Sequence, residues 1–120
     1  RTGELLEEAL NDLEDLRSRS ELTSPGGGRT YNPGWHQALE IGAMVDVSKM
    51  CAIAALRREE SRGAHTRDDF PETDDNHWGK INSVILMGDD GSMNIDFVSY
   101  PKIPKDLRSL LDSDDLKEEE

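Results

Sequence analysis

Three histidines, one cysteine and a run of carboxylates are the side chains of this 120-residue chain that could hold a metal or carry nucleophilic chemistry. His36, His65 and His77 form no i, i+3 or i, i+4 pair, so no two share a helical face as a zinc site on a helix requires. Interface or capping roles are the simpler reading of all three. Asp68, Asp69, Glu72, Asp74 and Asp75 place five carboxylates within eight residues, a donor set suited to a hard cation. The glycine hinge and terminal bidentate Glu of an EF-hand loop are missing, so a solvated acidic loop is the expectation. Cys51 sits in an apolar stretch, far from the cations that activate thiols, and predicts an inert core side chain. Gly26-Gly27-Gly28 follow a helical segment and precede Arg29-Thr30, whereas a phosphate-binding loop follows a strand and ends in Lys-Ser/Thr. A linker is the better reading.

The stretch Glu59-Glu60-Ser61-Arg62-Gly63-Ala64-His65-Thr66-Arg67 packs Arg, His and Arg around a predicted helix end, just before the acidic loop. Arg62 and Arg67 could pair with Asp68, Asp69, Asp74 or Asp75 and fold the loop back on the helix. They could instead meet an anionic ligand or the carboxylates of another subunit. Internal pairing is favoured on physical grounds alone.

The elements that must position these residues follow from periodicity. Leu6, Ala9, Leu10, Leu13 and Leu16 recur every three or four residues and predict a helix over about 3–19, with Glu4, Glu7 and Glu8 at its dipole-favoured start. Asn32 and Pro33 are a cap and a first helical residue. The run from there to about Arg62 has no breaker except Gly42, and its apolar residues spread around most of the circumference. That pattern predicts one long helix buried by neighbours on several sides, stopped by Gly63. Residues 63–77 read as a polar loop. Ile81–Met87 and Met93–Tyr100, joined by Gly-Asp-Asp-Gly-Ser, read as a hairpin at about 81–100, with Met93, Ile95 and Phe97 on one face and Pro101 and Pro104 beyond it. The fold class is therefore mainly α: an antiparallel bundle of two to three helices over residues 1–104, closed by a β-hairpin. Residues 105–120 are expected to form a poorly ordered acidic tail.

The chain carries 14 Lys+Arg against 26 Asp+Glu, a formal charge of −12. This excludes a nucleic-acid binder working by phosphate attraction, and argues against docking on anionic lipid. No apolar run approaches the ~20 residues of a membrane-spanning helix, so direct membrane insertion is not expected. A single Cys excludes an internal disulfide framework. The absence of an initial Met suggests a piece of a larger protein, in a soluble and reducing compartment.

Glu60-Ser61-Arg62-Gly63-Ala64-His65-Thr66-Arg67-Asp68-Asp69-Phe70-Pro71 closely resembles the C-terminal signature of the succinate dehydrogenase/fumarate reductase flavoprotein subunit. Arg1-Thr2-Gly3 and the following leucine-rich segment resemble a bundle helix of that family. Trp35-His36-Gln37-Ala38-Leu39-Glu40 stands where the family opens its long helix, and His77-Trp78-Gly79-Lys80 with the hairpin resembles its closing element. Pro25-Gly26-Gly27-Gly28 departs from commoner members. L-aspartate oxidase shares the Glu-Ser-Arg-Gly part, but its chain usually stops before a comparable hairpin.

The resemblance implies a parent oxidoreductase, with FAD in an upstream domain and electrons passing to an iron–sulfur subunit. No catalytic, cofactor-binding or metal-binding residue of the family maps onto these 120 positions. Arg62, His65, Arg67, Trp35, His77 and Trp78 are instead expected to hold the helix end, the loop and a neighbouring domain together. The implied partners are the flavin-binding domain of the same chain and the iron–sulfur subunit. The implied location is cytoplasmic, peripheral on the inner face of the membrane through partner subunits. In isolation the exposed apolar faces predict a homodimer. A stand-alone acidic interaction module is the alternative.

Overall fold

A computed structural model describes residues 1–108; of the acidic tail expected at 105–120, residues 109–120 lie outside the described residues. Helix α1 spans Gly3–Glu21. Thr2 is extended and its Oγ1 accepts the Leu5 N–H at 3.3 Å, which satisfies one of the orphan donors of the first turn. Helix α2 spans Pro33–Arg57, with Pro33 in the first turn and the Asn32 carboxamide oxygen accepting the Gly34 N–H at 3.0 Å.

The two helices lie antiparallel, as their cross-links show. Arg17 donates one guanidinium N–H group to the Gly42 carbonyl at 3.0 Å and to the Asp46 carboxylate at 3.1 Å. Three residues earlier on α1 and three later on α2, Lys49 donates to Glu14 at 2.6 Å. Gly42 lets Arg17 lie flat against α2, because a Cβ there would stand 3.1 Å from its guanidinium nitrogen. Leu6 and Val45 are buried in the seam.

Strands β1 (Ile81–Met87) and β2 (Met93–Ser99) pair antiparallel, in a register running from Ile81↔Ser99 to Met87↔Met93. The expected turn chemistry closes the hairpin: Gly88 donates to the Ser92 carbonyl at 2.8 Å, Asp90 accepts the Ser92 N–H, and Gly91 takes φ +80°. The period-2 alternation puts Ile85, Ile95, Ser83 and Phe97 on one face. Trp78, buried in a short 3-10 turn (Trp78–Lys80), packs edge-on against Phe97 with ring centroids 5.4 Å apart. One helical turn, α3 (Lys105–Arg108), follows the strand.

The helix pair and the hairpin match the expected architecture, and five details differ. Helix α1 runs two residues further than expected. Helix α2 stops at Arg57 instead of near Arg62, where Arg58 turns extended with ψ 102°. Gly63 is not its stop; with φ +57° it serves the tight turn in which Arg62 and His65 exchange backbone hydrogen bonds. Cys51 is exposed, not a core thiol, because it lies on the side of α2 away from α1. For the same reason α2, apolar nearly all round, has only Val45 buried among these residues.

Candidate functional site

The site is the 23-residue connection between α2 and β1, a place where the chain has no regular ladder to satisfy its backbone. Side chains do that work instead. Glu60 is at its centre and is completely buried. Its Oε1 accepts from Arg58 at 2.7 Å and from Arg62 at 3.0 Å; its Oε2 accepts from Arg62 at 3.2 Å and from the Asp74 N–H at 2.8 Å. Burial would raise the Glu60 carboxyl, but the bonds from Arg62, Asp74 and Arg58 outweigh it and hold the group at about 2. Arg62 reaches on to Asp75 at 2.7 Å, and these two carboxylates push its guanidinium higher still.

Arg58 carries the cluster to the hairpin. It donates to the Trp78 carbonyl, and its guanidinium lies 5.6 Å from the centre of the Trp78 ring. Arg67 carries it back to the helices. Its Nη1 donates to the Ala55 and Leu56 carbonyls, both at 2.9 Å, taking up acceptors that the end of α2 leaves open. Its Nε and Nη2 grip Asp69 through two bonds of 2.7 Å, and it stands over the Phe70 ring at 4.9 Å. The Arg67 bonds, joined by the Gly3 N–H at 2.7 Å, hold the Asp69 carboxyl well below the usual carboxylate range. Asp69 in turn raises the buried Arg67. Ser61 stitches the loop: its hydroxyl accepts the Arg67 N–H and donates to the Phe70 carbonyl, both at 2.9 Å.

The six residues singled out from sequence separate into three groups. Arg62, His65 and Arg67 meet in this cluster. His65 is half-buried, with Nε2 3.1 Å from the Arg58 carbonyl, so that nitrogen carries the proton and donates. Trp78 and His77 lie at its hairpin edge, His77 exposed and packed edge-on against Trp78 at 4.8 Å. Trp35 is elsewhere, at the start of α2 beneath the Arg29 guanidinium. The favoured internal pairing of Arg62 and Arg67 with the loop's aspartates is what the geometry contains. The expected solvated acidic loop is corrected in part: Asp68, Asp69 and Asp75 each bind a cation and Asp74 caps a turn, while Glu72 is exposed. Glu60 was not among the candidates. The signal that could have found it is its spacing, one acid two residues from an Arg on either side.

Among the described residues, no group of three or more His, Cys, Asp or Glu side chains is placed to hold a metal ion. Arg58, Glu60, Arg62, Arg67, Asp69 and Asp75 are each engaged by a neighbour of opposite charge or by a carbonyl. The arrangement positions backbone; it presents no nucleophile beside a base.

Residues 1–110 match the family described as fumarate reductase flavoprotein C-term. The chain belongs to this family. As a family member it is 33% identical over 99 residues to a fumarate reductase flavoprotein subunit of Mycobacterium tuberculosis, a match that covers 82% of this chain and 17% of the relative. It is 41% identical over 73 residues to a succinate dehydrogenase flavoprotein subunit of Coxiella burnetii, covering 61% of this chain and 12% of that one. Among solved structures, the Mycobacterium smegmatis Sdh1 complex in the apo form contains a chain that superimposes with a TM-score of 0.77 at 36% identity, over 98% of this chain and 20% of its own. An E. coli quinol fumarate reductase FrdA variant gives 0.76 at 27% identity, over 88% and 18%. The family domain thus spans a fifth or less of the length of these relatives. The L-aspartate oxidase and stand-alone readings are not favoured by these matches.

Proposed function

We propose that residues 1–120 are the C-terminal helical domain of a flavoprotein subunit that interconverts succinate and fumarate. The carrying observation is the family match over residues 1–110, together with relatives named for both fumarate reductase and succinate dehydrogenase. In this reading the parent protein transfers hydride between the dicarboxylate and FAD, and passes electrons to an iron–sulfur subunit.

The flavin belongs outside these residues. A dinucleotide needs a glycine-rich turn between a parallel strand and a helix, whereas the sheet here is a two-stranded antiparallel hairpin. The glycines at 26–28 precede α2 but follow a helix, and Asn32 occupies their carbonyls by donating to Gly26 and Gly28. No step of the reaction is assigned to a residue of this chain. Its part is mechanical: Glu60, Arg62 and Arg67 lock the connection between α2 and β1, Trp78 is buried behind His77 and fastens the hairpin, and Trp35, His65 and His77 lie along the surfaces offered to the flavin-binding domain and the iron–sulfur subunit.

No helix of the described residues is long and apolar enough to cross a membrane. In this reading the parent attaches peripherally, on the cytoplasmic face, through partner subunits, a placement supported by the Sdh1 complex among the structural relatives.

The test is to purify the full-length polypeptide and residues 1–120 separately. Flavin absorbance and succinate-dependent dye reduction are expected with the first and absent from the second. Flavin retained by residues 1–120, or a full-length protein lacking both signals, would overturn the proposal.

A further inference from the structure

The basic side chains are outnumbered, 14 against 26 acids, and most of them are engaged. Arg17, Arg19, Lys49, Arg58, Arg62 and Arg67 each pair with a carboxylate. Arg29 lies against the Trp35 ring, and the Arg1 guanidinium donates to the Ala64 carbonyl. Among the described residues, Arg57, Lys80 and Lys102 are exposed and have no such partner. The two lysines line one pocket of about 360 Å³. It opens at the base of the hairpin, beside the last bond of the ladder, where the Tyr100 N–H donates to the Lys80 carbonyl at 3.0 Å. Arg108 lines the pocket as well and is already engaged. Among the described residues no carboxylate lines it. A pocket bordered by cations alone, on a chain of charge −12, selects an anion.

Reach decides which anion. The family match ends at residue 110, so residues 111–120 lie beyond the part of the chain that the family shares. They carry Asp112, Asp114, Asp115, Glu118, Glu119 and Glu120 against the single Lys117. Asp112 follows the pocket-lining Arg108 by four residues, a span of at most ~14 Å for an extended chain. A tether this short presents its carboxylates at an effective concentration on the order of millimolar, and closing so small a loop costs little chain entropy. A free dianion, a second copy or an acidic partner has no tether, and each must approach a chain that repels it.

We infer that carboxylates among residues 111–120 are the counter-ions of Lys80 and Lys102, so that the acidic end of this sequence straps the open end of the hairpin. Exposed ion pairs are individually weak and screened by salt. The strap is therefore held by several carboxylates at once and released at high ionic strength. The experiment treats the full-length subunit with a water-soluble carbodiimide, which joins an amine to a carboxylate in contact with it. Amide links from Lys80 and Lys102 to residues 112–120 of the same polypeptide are expected at ~0.01 M salt, and a severalfold loss of them at 1 M. Links from these lysines to Asp106, to a second copy distinguished by isotope mixing or to a partner subunit, or no link at all, overturn the inference. A second measurement compares the acylation rates of the two lysines in the full-length subunit and in one ending at Leu110. A severalfold rise at low salt on removing residues 111–120, absent at 1 M, is expected; equal rates overturn the inference. No readout needs succinate turnover, so this inference and the proposed function can fail separately.

Discussion

Asp69 and Arg67 form a two-bond carboxylate–guanidinium pair that ties opposite ends of two helices together. Arg67 takes up the open carbonyls at the C-terminal end of α2, and Asp69 takes up the Gly3 N–H at the N-terminal end of α1. Each end of the antiparallel pair thus receives the charge its dipole favours, a cation at the C-terminus and an anion at the N-terminus, and the two caps neutralise one another.

Removing the anion leaves Arg67, only 2% exposed, without its partner. Asp69→Asn is expected to destabilise the chain by about 2 kcal/mol, the scale of a hydrogen bond to a charged group. Hydrogen exchange would locate the effect: faster exchange at Gly3 and through the last turn of α2, with the hairpin amides unchanged. Uniform acceleration throughout would show that the pair does not act locally.

Glu60 predicts an acid response. Its carboxyl is held at about 2 in the folded chain, below its ordinary unfolded value near 4.3. The unfolded chain therefore takes up a proton first as pH falls. The stabilisation is fully present above about pH 4.5, declines below it, and is gone as pH drops through about 2. Glu60→Gln is expected to remove most of that slope and to cost about 3 kcal/mol at neutral pH, since Arg58 and Arg62 lose a buried partner. Denaturant midpoints of both proteins between pH 2 and 7 provide the check; parallel curves would refute it.

Trp78 is where the hairpin is fastened. It is 8% exposed and touches Phe97, His77 and the Arg58 guanidinium. Trp78→Ala is expected to cost about 3–5 kcal/mol, as for large aromatic truncations generally, and to release the β1 and β2 amides to exchange while α1–α2 protection persists. Trp78→Phe, which keeps a ring against Phe97, should cost less than half as much. Equal losses would mean that ring packing is not the fastening.

The helices and hairpin were legible because each obeys a local period: leucines every three or four residues in α1, alternation in β2, a cap pair at Asn32-Pro33. The end of α2 was not legible. Arg57-Arg58-Glu59-Glu60 contains only good helix formers, and a tertiary demand stops the helix. Glu60 must sit between Arg58 and Arg62 while accepting from Asp74, fourteen residues away, and that geometry requires an extended Arg58. Cys51 was misplaced for a related reason. Apolar residues around a whole circumference show that a helix is to be covered, not which residues supply the cover. The pairing of Arg62 and Arg67 was readable as a set of candidates because charge complementarity is visible in sequence; the particular aspartate each would take was not.

Gly42 offers a test of how the helix pair is registered. Alanine there would gain about 1 kcal/mol in helix propensity, yet its Cβ would stand 3.1 Å from an Arg17 nitrogen held by the Gly42 carbonyl and Asp46. Gly42→Ala alone is expected to be close to neutral. In an Arg17→Ala background it is expected to stabilise by most of that ~1 kcal/mol, a coupling that a double-mutant cycle measures. Additive effects would show that Arg17 yields freely.

Residues 1–120 alone should reveal the uncovered face of α2 by self-association. Two opposing terms set its strength: burial of Met44 and Val47 draws copies together, while −12 on each copy drives them apart. Salt screens the second without weakening the first, since the Debye length falls from ~30 Å at 0.01 M to ~3 Å at 1 M. Light scattering at high protein concentration is expected to show dimer that increases with salt, and Val47→Glu should abolish it. A strict monomer at 1 M salt would mean that the face is too small to associate. Dimer that dissolves with salt would place the contact on ion pairs instead.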